Sequence, residues 1–511
     1  MEPERFSSGE VAVALAVAAA AVLLQMLTNG RYGYFRDELY FLDAGNHLAW
    51  GYVDFAPLTA LVARVSRALL GDSLHAIRFL PALAHGIEIV ITGLITRELG
   101  GERFAVALAC ICVFLAPVVV GNATRLSMNP FEPIFWMGAV YFLLAAKNRD
   151  NPRLLIGCGV MLGIGLENKH STIFFIAALL VGLLLTSDRK FLMTRGFWTG
   201  AALAFLIFLP NLIWQYQRGF PTLEDLRNVK AMHKNIELPP IPFVRQQFMM
   251  LNPFNSVVWV AGLAFLLFHP EDKRYRSLGV TYLAFLAVMM FLKGKDYYLA
   301  PIYPMLFAAG GVAWQKLIEP RPRLRWVQVA LPASLAVLGI ILLPLNVPIL
   351  PVEKVPPYLE ALGIKMSRTE AHHEGLLPQH FGDEFGWEEM VQKVAQVYHS
   401  LPPEEQAKTA ILAGNYGEAG AIDFFGPRYG LPKAISAHQN YYYWGPRQYT
   451  GEILIMLQWP LDHAQKRCTS VEEGPVNDPY WGMSDEQYTI LICRGLKVPL
   501  AQAWADFKVW N

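Results

Sequence analysis

The sequence predicts an α-helical polytopic membrane protein with about 11 transmembrane helices, followed by a small C-terminal α/β domain. Three observations predict it. Apolar residues make up 54% of the 511-residue chain and charged residues 17%, and the mean hydropathy is +0.30, which is too apolar for a soluble chain of this length. Apolar segments near the length of a bilayer span recur from residue 9 to residue 345. Beyond residue 345 the composition becomes that of a soluble domain. The formal net charge of +1 and the lack of any Lys/Arg run exclude a nucleic-acid binder.

The first apolar segment, 9–29, contains VAVALAVAAAAVLLQMLTN. The preceding MEPERFSSGE has neither a basic signal-peptide start nor a partnering small-residue cleavage site, so the segment reads as a retained helix. Further segments lie at 80–96, 104–121, 131–146, 154–166, 171–186, 196–214, 255–268, 277–292, 299–315 and 326–345. Basic residues collect in every second connection: Arg97 and Arg103; Lys147, Arg149 and Arg153; Arg189, Lys190 and Arg195; Lys273, Arg274 and Arg276; Lys316, Arg321, Arg323 and Arg325. By the positive-inside rule these loops and the N-terminus are cytoplasmic, and an odd number of spans puts residues 346–511 outside. The domains are then 1–345 in the membrane and 346–511 beyond it. The stretch 154–186 is ambiguous, because its halves around GLENKHST are short: it is one kinked span or a hairpin, and the basic loops on both sides favour the hairpin.

With this topology the polar material gathers at the outer face, in 30–79, 122–130, 167–170, 215–254, 293–298 and the tail. The first outer loop, 30–79, places Asp37, Glu38, Asp43 and Asp54 beside lipid headgroups, where carboxylates are costly and usually functional. Its second half, PLTALVARVSRALLGDSLHAIRFLP, has helical apolar spacing with Arg64, Arg67 and Arg78 on the other side. That suits a helix lying in the interface, or a short soluble helix packed on the bundle.

In the tail, VPILPVEKVPP is a linker and 368–400 reads as helix. AKTAILAGNYGEAGAIDFFG reads as a buried strand, a Gly-rich turn and a helix, while GEILIMLQWP and YTILICRG supply strands. GNYGEAG resembles a phosphate-binding turn only loosely and reads as fold chemistry. Cys110, Cys112 and Cys158 fall in apolar spans as small hydrophobes, whereas Cys468 and Cys493 share the extracytoplasmic domain, where an oxidising compartment favours a disulfide. His372 and His373 read as linker surface rather than a metal site.

Together, FRDELYFLDAG, GYVDFAPL, LENKHST, PNLIWQYQRGFPTLEDLR, GKDYYLAPIYPML, NYGEAGAIDFFG and HQNYYYWGP resemble the C-type integral-membrane glycosyltransferases, specifically bacterial relatives of protein O-mannosyltransferases (family 39) and of the lipid A aminoarabinose transferase. The resemblance implies a C-type glycosyltransferase fold in the bacterial inner membrane. It implies transfer of a sugar from a polyprenyl-phosphate-linked donor to an acceptor at the periplasmic face, the acceptor being a glycolipid, a polysaccharide or a protein. By their match to the family, Asp37 is expected to be the general base and Glu38 its helper or positioning group. Asp54 is expected to orient the acceptor or to hold a divalent metal; no cofactor is required by the motifs. Lys169, Lys293 and Lys295 are expected to reach the lipid phosphate, Tyr297 and Tyr298 to donate hydrogen bonds, and Arg36 and Arg245 to serve as further cations. Ordinary snorkelling at helix ends is the competing reading for the lysines. GYVDFAPL lacks the lysine and one proline of the aminoarabinose enzymes' acid-lysine-proline-proline pattern, and the inserted lumenal domain of the eukaryotic mannosyltransferases is missing.

Other functional classes carry different sequence signatures. A transporter or flippase of lipid-linked sugars would show internal repeats and ionisable groups at mid-membrane, and a protein that only displays its tail would need far fewer spans.

Overall fold

The computed structural model describes residues 8–269, 273–364, 370 and 374–511; His372 and His373 lie outside the described residues. The chain divides into two compact units. One comprises 1–30, 75–214 and 237–350, and the other 31–74, 215–236 and 351–511.

The first unit is helical. Every predicted apolar segment contains helix, from Ser8–Thr28 to Val327–Leu342. Five helices are long and apolar enough to cross a membrane, and seven if two bent pairs each count as one span, by length and composition among the described residues. The chain is therefore a multi-pass membrane protein. Ion pairs tie several basic loops to one end of the bundle: Arg97 meets Glu10 at 2.9 Å, Arg149 meets Glu98 at 2.6 Å and Lys147 meets Asp188 at 2.5 Å. The last contact decides the stretch that the sequence left ambiguous. Leu155–Asn168 and Thr172–Leu184 must leave this end and return to it, because a single kinked helix would carry residues 147 and 188 to opposite ends. Helices approach closely where side chains are absent. A Cβ on Gly262 would lie 2.1 Å from the Leu306 carbonyl oxygen, and one on Gly310 2.1 Å from that of Val258, so Ser256–Phe268 and Tyr303–Ile318 pack backbone to backbone.

One expectation is corrected here. Arg78 does not line the polar side of an interface helix. The loop helix Leu58–Leu70 stops at Gly71, whose φ of 93° suits glycine, and a new helix, Leu74–Glu98, begins ahead of the predicted span. Arg78 is inside that second helix, fully buried, and donates to the Asn29 carbonyl at 2.8 Å. A buried guanidinium needs such an acceptor.

The second unit holds one five-stranded sheet: β1 (Thr409–Ala413), β2 (Ile435–Ser436), β3 (Ile453–Met456), β4 (Cys468–Asn477) and β5 (Tyr488–Leu496), in the order β2-β1-β3-β5-β4. β1 runs parallel to β2 and β3, while β5 runs antiparallel to β3 and β4. The strands read from sequence, β1, β3 and β5, are those with continuous buried runs. β4 carries Pro475 and mostly exposed polar residues at the sheet edge, so it has no apolar signal. Over 368–400, where the sequence predicts one helix, the described residues form a short helix, Gln379–Gly382, and a longer one, Trp387–Ser400, with Gly386 at φ 94° breaking the chain just before the second. Cys468 and Cys493 form a disulfide with Cα atoms 5.7 Å apart, inside the apolar cluster that fills one side of the sheet.

Replacing Cys468 and Cys493 together by Ser is expected to destabilise this unit by roughly 2–4 kcal/mol. Chemical denaturation of the full chain in detergent checks the loss, and mass spectrometry of a non-reducing digest should recover the two peptides linked.

Candidate functional site

In the second unit the site is built on the helix Arg36–Ala44. Phe35 is extended and caps it. Glu38, fully buried, accepts the Phe35 backbone N–H at 2.9 Å, which satisfies one of the donors that a helix start leaves unpaired. Because successive side chains diverge by about 100° around a helix, a Glu38 turned inward leaves Asp37 aimed elsewhere. Asp37 is 33% exposed. Its Oδ1 accepts the Tyr416 hydroxyl at 2.8 Å, and its Oδ2 has no hydrogen bond among the described residues. Glu38 thus positions the helix that carries Asp37.

Arg36 is nearly buried and faces three carboxylates: Asp37 at 3.8 Å, Glu370 at 3.9 Å and Asp485 at 4.0 Å. Its guanidinium also lies 5.4 Å from the centre of the Tyr416 ring. Its charge is compensated locally.

Asp54 is partly buried and accepts the Tyr40 hydroxyl at 2.9 Å; that hydroxyl in turn accepts from the Asn440 side chain at 2.7 Å. Burial, then the neighbouring Asp225 carboxylate, pushes the Asp54 carboxyl up to about 8. At neutral pH it keeps its proton and can donate a hydrogen bond.

The segment expected to be fold chemistry serves this arrangement. Asn415 caps the helix Tyr416–Phe425 through the Gly417 and Glu418 N–H groups, at 2.8 and 3.0 Å. Two glycines let this helix lie against Arg36–Ala44. A Cβ on Gly417 would sit 2.4 Å from Arg36 Cγ, and one on Gly420 2.8 Å from the Leu39 carbonyl carbon. Tyr416 is stacked between Tyr40, at 4.7 Å and 24°, and His438, at 5.0 Å and 7°. His438 Nδ1 accepts the Tyr416 backbone N–H at 3.1 Å. Its other nitrogen therefore carries the proton and faces Asn511 Oδ1 at 3.2 Å. Burial holds this imidazole down to about 3, so it stays neutral.

The first unit holds a second set. Lys169 pairs with Glu132 at 3.0 Å and donates to Asn129 Oδ1 at 3.0 Å, beneath the rings of Tyr298 at 4.5 Å and Tyr297 at 5.8 Å. Glu132 and Tyr297 line a cleft with His85, Glu88, Asn122 and Asn129. Lys295 caps the 3₁₀ turn Asp296–Ile302 that carries both tyrosines. Gln247 donates to the Asp296 carbonyl at 3.2 Å, which ties in the helix Pro240–Met250 and its exposed Arg245. Lys293 instead pairs with Glu237 at 2.6 Å in an exposed position. Among the sequence candidates of this unit, Lys169, Tyr297 and Tyr298 are in contact; Lys293 has its own partner. Among the described residues no group of three His, Cys, Asp or Glu side chains is arranged to hold a metal ion.

Sequence reasoning missed Tyr40, Tyr416, His438 and Asn440, and in the first unit His85 and Glu88. The signal for the first four was present in DELYFLD, NYGEAG and HQNYYYWGP, but only contact between distant segments gives those aromatic and amide groups a task.

Comparison with known proteins agrees with this architecture. Residues 54–214 match the family model described as dolichyl-phosphate-mannose-protein mannosyltransferase. The structure of ArnT from Cupriavidus metallidurans bound to undecaprenyl phosphate aligns over 95% of this chain and 98% of its own, with a TM-score of 0.57 and 15% identity. Its apo structure aligns over 93% and 97%, with a TM-score of 0.59 and 14% identity. The chain has the C-type membrane glycosyltransferase fold. In sequence, this chain is 26% identical over 213 residues to the undecaprenyl phosphate-alpha-4-amino-4-deoxy-L-arabinose arabinosyl transferase 1 of Pseudomonas fluorescens (strain Pf0-1). That match spans 39% of this chain and 32% of the relative's length. The relationship to protein mannosyltransferases and aminoarabinose transferases expected from the motifs is borne out.

The Asp54 assignment carries a pH signature for this glycosyltransferase fold. The folded carboxyl holds its proton up to about 8 while the unfolded one releases it near 3.8. Folded-state stability therefore falls as pH rises between those values and levels off above them. Melting of the full chain in detergent from pH 5 to pH 9 should show a decline that is shallower in Asp54→Asn; equal slopes would mean that Asp54 is ionised in the fold.

Proposed function

We propose that the protein transfers a sugar from a polyprenyl-phosphate-linked donor to an acceptor hydroxyl at the outer face of the bacterial inner membrane. The observation that carries this reading is Asp37: a partly exposed carboxylate with one oxygen fixed and the other open, on a fold shared with an enzyme whose structure holds undecaprenyl phosphate. The acceptor oxygen attacks the anomeric carbon, the bond from that carbon to the phosphate oxygen breaks, and Asp37 Oδ2 takes the acceptor proton. Polyprenyl phosphate leaves with the bonding pair. Asp54, protonated, donates a hydrogen bond to a sugar or acceptor oxygen. Lys169, Lys295 and Arg245, with the hydroxyls of Tyr297 and Tyr298, stabilise the departing phosphate. Glu132 keeps Lys169 ordered in the absence of donor.

The same reading gives the topology. All eleven apolar segments span, the end of the bundle that holds the Glu10–Arg97, Glu98–Arg149 and Lys147–Asp188 pairs is cytoplasmic, and residues 346–511 are periplasmic. The Cys468–Cys493 disulfide supports an oxidising side for the tail. The loop helix Leu58–Leu70 buries Ala60, Ala63 and Ser66 and exposes Leu61, Val65 and Leu69, the last at 77%. Large apolar groups outward and small ones inward suit a helix lying in lipid headgroups rather than water.

Two experiments test this. Asp37→Asn replaces the carboxylate by a carboxamide of the same shape that cannot accept a proton, so transfer from a panel of labelled undecaprenyl-phosphate sugars should slow by about 10²–10⁴-fold while undecaprenyl phosphate is still retained. Near wild-type turnover would remove Asp37 as base. Alkaline phosphatase fused after residue 345 should be active in cells; an inactive fusion would reverse the orientation.

A further inference from the structure

We infer that Tyr416, contributed by the C-terminal segment, is a positioning residue for Asp37: its phenol pins Oδ1 so that Oδ2 is presented to the acceptor. The inference rests on the reading of Asp37 as base. Among the described residues the Tyr416 hydroxyl is the one hydrogen-bond donor to the Asp37 carboxylate, at 2.8 Å. The Arg36 Nε, at 3.8 Å, is beyond hydrogen-bond range and constrains the carboxylate's charge more than its direction. A carboxylate on one exposed χ2 torsion rotates through a broad well, and a base that must meet a hydroxyl proton within hydrogen-bond reach loses rate when it does.

The construction around Tyr416 is that of a fixed support. The ring cannot turn, being stacked on both faces by Tyr40 and His438. Its backbone is held by the His438 imidazole, which burial keeps neutral and therefore able to accept. Gly417 and Gly420 let the helix it begins lie directly on the helix of Asp37. The column continues through Tyr40, whose hydroxyl reaches Asp54. One stack of rings thus serves both carboxyl groups.

Tyr416→Phe keeps the ring and its stacking and removes one charge-assisted hydrogen bond. With the fastest donor of the undecaprenyl-phosphate sugar panel and the full chain in nanodiscs, kcat should fall by about ten- to hundredfold and donor KM should stay within about twofold. His438→Phe, which keeps the stack but loses the acceptor, should lower kcat by less and also leave KM in place. The deciding comparison is the double variant Asp37→Asn/Tyr416→Phe. If Tyr416 acts through Asp37, the double variant is no slower than Asp37→Asn alone. Wild-type kcat in Tyr416→Phe, or an added full loss in the double variant, would overturn the inference while leaving Asp37 as base. Near wild-type turnover by Asp37→Asn would instead remove the reading on which it rests. If Tyr416→Phe does not fold, unchanged kcat in His438→Phe would overturn the inference.

Discussion

The contact between the helices Arg36–Ala44 and Tyr416–Phe425 is the constraint on which the arrangement around Asp37 depends. It joins segments nearly 400 residues apart in sequence, and it is close because Gly417 and Gly420 offer no side chain at the seam. Closeness has chemical consequences. It brings the Tyr416 phenol to Asp37 and stacks its ring on Tyr40, so the geometry of two carboxyl groups follows from one packing event. The capping of the first helix works in the same direction. Glu38 is committed inward to the Phe35 N–H, and that commitment fixes the rotation of the helix and the outward aim of Asp37.

The electrostatics of the second unit divide labour among acids by environment. Asp37 lies beside Arg36 and is partly open to solvent. Burial near Asp225 makes Asp54 keep its proton at neutral pH. The first unit answers the opposite need. Its Lys169 is held by Glu132, Asn129 and two aromatic rings, an ordered cation in a setting where a free one would be costly.

Much of this was legible in the sequence, and the losses have physical causes. Apolar runs located the long helices of the first unit, because the bilayer leaves no other solution for a long apolar run, whereas Pro221–Ala231 and Pro240–Met250 fell in a stretch read as polar connection. Asp37 and Lys169 stand out by position, one directly after the first span and the other in GLENKHST, and the structure gives them specific partners in Tyr416 and Glu132. The contact of Glu38 with the Phe35 N–H was not legible, because a carboxylate that caps its own helix and one that assists catalysis look alike in DEL. Arg78 was misplaced because its helix begins earlier than the apolar run shows, and a buried Arg satisfied by a carbonyl leaves no pattern in the sequence. Edge strand β4 escaped because its burial is low and its residues polar. Tyr416, His438 and Asn440 matter through contacts across the chain, which periodicity does not encode.

Under the proposed function this chain breaks the bond between a sugar and its lipid phosphate rather than moving the intact lipid. The direct measurement is to follow both halves of a doubly labelled undecaprenyl-phosphate sugar with the purified full chain in proteoliposomes containing an acceptor-bearing membrane extract. The sugar label is expected on the acceptor and the lipid label on free undecaprenyl phosphate, in equal amounts. Passage of the intact donor from one leaflet to the other, with both labels still joined, would contradict it and assign the chain to transport.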